Sequence, residues 1–226
     1  MSEFLAQFRP DPEFPEDRWV WWTSKPVLVN YVSEFAPFDD QFQNYKIPKK
    51  RPYPLEPSCT WCSVADFEVA VFIFENDLEA VSSQQRAWDY LVANAALVEH
   101  KLAQKLTFIQ RQCLDQLAQE IAEGGPYADQ WEIIRSKVPS PETDLNRFYK
   151  LVGITLASSG LDNLAFVGFE FQTAWDKDHG LEIVMHKDRV LAKAGMTELI
   201  SGYGSVLDGI KGTQAFELDP CDFKLE

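Results

Sequence analysis

Apolar positions recur in two different periods along the chain. Trp88, Leu91, Ala95, Val98, Leu102, Leu106, Ile109, Cys113, Leu117 and Ile121 follow one another at three- and four-residue steps. That spacing paints a single stripe along a helical region of about 40 residues. Ser82 or Ser83 is the expected cap, and Gly124-Gly125-Pro126 the expected stop. So long a pattern predicts either one spine or a break near residues 99–104. Shorter helices are expected around 128–135 and around 142–152.

The period becomes two in the last third. Large and small or polar residues alternate through Val167-Gly168-Phe169-Glu170-Phe171-Gln172-Thr173-Ala174-Trp175. Strands over 181–186 and 189–192 follow, the second pair joined by a Lys187-Asp188 turn. This three-stranded meander is the clearest local pattern in the chain. Further strands are expected at 19–23, 27–32 and within 64–74. The fold class expected is therefore α+β: an antiparallel sheet containing the meander, packed against a long helix or helix pair. Nine of the 13 prolines lie in the first 57 residues. They mark 1–57 as a Pro- and aromatic-rich segment, 58–198 as an α+β core and 199–226 as an extension, together one compact unit.

Composition narrows the function. The chain has 226 residues, long enough for a sizeable core, and 13% of them are aromatic. Its formal charge is −14, which repels phosphate backbones and argues against nucleic acid as a partner. The one basic cluster, Lys46 with Lys49-Lys50-Arg51, reads as a solvated connector. No run reaches the roughly 18 apolar residues of a membrane span, and the N-terminus has no signal-peptide pattern. Four cysteines without a dense framework fit reduced thiols, so a cytoplasmic location is expected. Trp19 and Trp21, two apart in a strand, share a face and are expected in the core.

Two stretches carry a resemblance. One is Gln84-Gln85-Arg86-Ala87-Trp88-Asp89-Tyr90-Leu91-Val92-Ala93-Asn94; the other runs from Val167-Gly168-Phe169 through Trp175-Asp176-Lys177-Asp178-His179-Gly180-Leu181 to His186-Lys187-Asp188-Arg189-Val190. Together, over about 64–198, they resemble a bacterial family of unknown function with a W-D-x-x-H-G-L-G hairpin. Glu182 and Ala194 stand where that family usually has glycine. The resemblance implies a small cytosolic accessory protein, with a loose link to immunity proteins, and carries no activity.

Trp175, Asp176, Asp178, His179, His186 and Arg189 are the candidate binding residues. Carboxylates with imidazoles can hold a divalent metal or exchange protons. Yet His179 and His186 are seven apart and would face opposite sides of a continuous strand. The local alternative is structural: Asp176 caps the turn and Gly180 takes an unusual φ. Cys59-Thr60-Trp61-Cys62 lacks a second ligand pair, so zinc is not expected, and His100 falls mid-helix. No nucleophile elbow, phosphate loop or H-E-x-x-H motif is present. No cofactor is therefore expected. The reading is a non-enzymatic binding protein with a basic protein partner, its oligomeric state open. The alternative is a metal-assisted hydrolase built on the 176–186 hairpin.

Overall fold

A computed structural model of the chain describes residues 4–10, 20–23, 27–28, 70–73, 78–126, 128–136, 140, 149–173 and 180–194. The fold is α+β. Seven strands form one sheet in chain order: β1 (Phe8–Pro10), β2 (Val20–Thr23), β3 (Ala70–Ile73), β4 (Tyr149–Leu161), β5 (Leu164–Thr173), β6 (Leu181–His186) and β7 (Arg189–Ala194). Every neighbouring pair is antiparallel except β3 and β4, which run parallel. A parallel pair needs a long crossover. Between β3 and β4 stand the helices α1 (Leu78–Ala93), α2 (Ala95–Glu123) and α3 (Ala128–Arg135).

The apolar stripe does what its spacing implies. Trp88, Leu91, Val98, Leu102 and Leu106 are buried with Ile154, Leu156, Val167, Phe169, Ile183 and Met185 in one core. Besides its buried stripe, α2 contacts β7 and packs on α3. Gln110 ties α2 to β4 by accepting a hydrogen bond from the Tyr149 hydroxyl at 3.1 Å. Near the N-terminus, Phe4 and Phe8 close the core, with Phe8 edge-on to Trp88 at 4.9 Å.

The helical rod bends at Asn94, upstream of the 99–104 segment, which stays unbroken. Asn94 leaves helical geometry at φ −120°, and its side-chain amide donates to the Tyr90 carbonyl at 2.8 Å. Such local side-chain bonding competes with the helix ladder. At the other end Gly124 takes φ 66° and its N–H reaches the Ile121 carbonyl, so the glycine stop forms as expected.

Three sequence expectations need correction, and one turn went unread. Ser82 and Ser83 lie inside α1, which begins a turn earlier at Leu78. Residues 142–148 lie outside the described residues, and in place of the end of the helix expected over 142–152 the chain forms β4 from Tyr149 onward. Its period was hidden because β4 has 13 residues against 10 in β5, and bulges at Leu151/Gly153 and Leu156/Gly160 absorb the excess. Of the strand expected over 27–32, Val27 and Leu28 form a buried bend and 29–32 lie outside the described residues. Finally, Asp162 and Asn163, both at positive φ, close a two-residue β4–β5 hairpin that alternation alone did not reveal. The side chains of Trp19 and Trp21 lie outside the described residues.

Gly160 sits at the second bulge. A Cβ there would lie 1.8 Å from the Leu164 carbonyl oxygen, whereas one at Gly125 would meet nothing within 4 Å. Gly160→Ala should therefore lower the thermal midpoint sharply or prevent folding, because backbone has to give way. Gly125→Ala should leave it within a few degrees. Equal midpoints in the two variants would show that the β4–β5 backbone does not approach this closely.

Candidate functional site

The sheet has two unlike faces. One carries the helices and the hydrophobic core. Alternation places Thr155, Phe166, Glu170, Glu182, Val184 and His186 on the other, and all six are buried to within 4%. This second face therefore holds polar groups in a dry setting, and it is the strongest candidate site in the described structure.

Its polar groups form two clusters. Glu170 on β5 pairs directly with Glu182 on β6, and the Thr155 hydroxyl on β4 donates to Glu170 Oε1 at 3.1 Å. Burial, then the Glu182 charge, push the Glu170 carboxyl up to about 7, with the Thr155 bond opposing. Four residues along β6, His186 Nε2 lies 3.0 Å from the Leu161 carbonyl, and the ring stands edge-on to Phe166 at 6.0 Å. A carbonyl only accepts, so Nε2 carries the proton and Nδ1 is the ring's lone acceptor. Burial holds the His186 pKa below its ordinary value, against the Leu161 bond.

Of the six candidates from the sequence, Trp175, Asp176, Asp178 and His179 lie outside the described residues, as do Cys59, Cys62 and Cys221. The structure places the other two together: His186 and Arg189 are cross-strand partners flanking the Lys187-Asp188 turn. His186 is buried and Arg189 exposed. The tight turn forms as expected, with Lys187 at φ 59°. Gly180 has φ 57°, the unusual backbone expected of it at the entrance to β6. His100 is exposed on α2, and Cys113 is half-buried on the same helix.

Sequence reading missed the Glu170–Glu182 pair. Each glutamate looked like the polar member of an alternating strand, and Glu182 registered only as a departure from the hairpin pattern. The available signal was Phe166-Val167-Gly168-Phe169, apolar on consecutive positions and so buried on both faces. Among the described residues no group of three or more His, Cys, Asp or Glu is placed to hold a metal ion. A crevice between Ala87, Leu91 and Val98 on the helices and Val167 and Phe169 on β5 has about 10 Å³ of free space, room for one water. No described helix is long and apolar enough to cross a membrane.

The depressed His186 pKa has a definite consequence for stability. A histidine buried neutral contributes stability that is present above the unfolded value of about 6.5 and lost as pH falls through the lower folded value. His186→Gln, which keeps a donor for Leu161, should therefore show a shallower loss of stability below pH 6.5 than the parent in urea unfolding. Parallel pH profiles would remove His186 as the responsible group.

The chain matches no curated protein and no solved structure. Residues 54–200 do match a family model, described as Domain of unknown function (DUF6985). That interval contains α1 to α3, β3 to β7 and both polar clusters of the second face. Since the match covers more than half of its length, the chain belongs to the DUF6985 family.

Proposed function

We propose that this protein acts by holding another protein, without turnover, and that the partner is basic. The observation that carries the reading is the formal charge of −14. The described surface supports it locally. On α2 and α3 the exposed acids Asp115, Glu120, Glu123, Asp129 and Glu132 face solvent with Arg111 and Arg135 as the exposed arginines. Such a surface speeds encounter with an oppositely charged partner and rejects acidic ones. An immunity-like role, neutralising a basic toxin in the cytoplasm, is the specific form of this proposal. The state of His186 supports binding over hydrolysis, because its Nε2 proton and its ring are already engaged by Leu161 and Phe166.

Cross-linked recovery of the tagged protein from its source cell should yield a basic protein partner. The association rate of the purified pair should fall steeply with added salt, since the Debye length shrinks from about 30 Å at 0.01 M to about 3 Å at 1 M. An association rate indifferent to salt would contradict charge-guided binding. Hydrolysis that requires a divalent metal and disappears in His179→Ala with the fold intact would replace this reading with the hydrolase.

A further inference from the structure

Glu170 and Glu182 meet at the next-to-last rung of the β5–β6 ladder, one step before Phe171 and Leu181. Directly opposed residues on adjacent antiparallel strands have Cβ atoms about 4.5–5.5 Å apart. Both side chains have 0% exposure. Glu170 Oε1 receives the Thr155 hydroxyl, but Glu170 Oε2 is fully buried and has no hydrogen-bond partner. A charged oxygen in that position is costly, and a second carboxylate beside it makes it more so. A proton on Glu170 removes both penalties.

The other charged or titratable groups on this face of the described strands stand further off. Lys150 on β4 pairs with Gln172, one two-residue step out from Glu170. His186 lies four residues beyond Glu182 on β6, roughly 13 Å along the strand, with Arg189 across from it on β7. None of these three sits on the Glu170–Glu182 rung, and Arg9, in the same row on β1, is four strands from Glu170.

We propose that Glu170 and Glu182 form a one-proton pair that fastens β6 to β5, and that release of this proton to solvent loosens the seam. The fold thereby contains a pH-sensitive device independent of any partner. The direction follows from the sign of the linkage. The Glu170 pKa is raised from 4.5 to about 7 in the folded chain. Its contribution is thus fully present below the unfolded value and is lost as pH rises through about 7. Above neutrality two negative charges face each other inside the sheet.

Carbon-13 NMR of the side-chain carboxyls, followed from about pH 4 to 9, tests this directly, with assignments from Glu170→Gln and Glu182→Gln. The Glu170 signal should titrate near neutrality, and its midpoint should drop in Glu182→Gln. Amide hydrogen exchange in β6, corrected for its intrinsic rise with pH, should accelerate in step with the Glu170 midpoint. Glu170→Gln should abolish that step. If this variant does not fold, Glu182→Asp, whose carboxylate is drawn back by one methylene, should lower the midpoint instead. A Glu170 midpoint in the ordinary carboxylate range would overturn the proposal. So would a midpoint unmoved by both Glu182 variants, or β6 protection with no step in the parent protein.

Discussion

Burial of β5 on both faces is the constraint on which the rest of the structure depends. Phe166, Val167, Phe169, Glu170 and Phe171 are consecutive or nearly so, and none is more than 6% exposed. A strand in that position must be paired along both edges and covered above and below. β4 and β6 supply its edges, and the long ladder with β4 explains why the extra residues of β4 are accommodated by bulges rather than by a shifted register. The helical rod supplies one cover. α1 meets β4 and β5 and α2 meets β7, and side chains on both sides of Asn94 belong to the core.

The second face is where chemistry concentrates, because alternation sends every other β5 and β6 residue there. Four side chains on that face, Thr155 of β4 with Glu170, Glu182 and His186, are ionisable or hydroxylic, and in a dry setting each has to be engaged or neutral. Thr155 turns to Glu170, and His186 turns to the Leu161 carbonyl beside the β4–β5 turn. That second bond ties the start of one hairpin to the end of another, since His186 is also the last residue of β6 before the Lys187-Asp188 turn. A helix-side link parallels it: Arg86 Nε donates to the Asn163 carbonyl at 2.6 Å. The two turns at this end of the sheet are thus held from both faces.

These commitments bear on function. The His186 ring is bonded to a main-chain carbonyl, Gly180 takes φ 57° and Lys187 φ 59°, while 174–179 lie outside the described residues. The acidic outer surfaces of α2 and α3 are separate from these groups. The proposed surface binding and the proposed proton release in the sheet therefore involve different residues.

What the sequence determined by itself was local. The stripe from Trp88 to Ile121, the glycine stop at Gly124, the helix at 128–135 and the β5–β6–β7 meander all rest on periods and turn residues read within a few positions. Gly180 was legible for the same reason. Tertiary structure decided what distant segments do together: the parallel β3–β4 pairing across three helices, the bulged β4–β5 register, and the meeting of Glu170 with Glu182. A register joins residues through ladder hydrogen bonds and burial on both faces, neither of which is encoded in the polarity of any one strand. Glutamate in an alternating strand reads as solvent-facing until the other face is known to be covered. Only the fold could turn two ordinary surface residues into a buried pair.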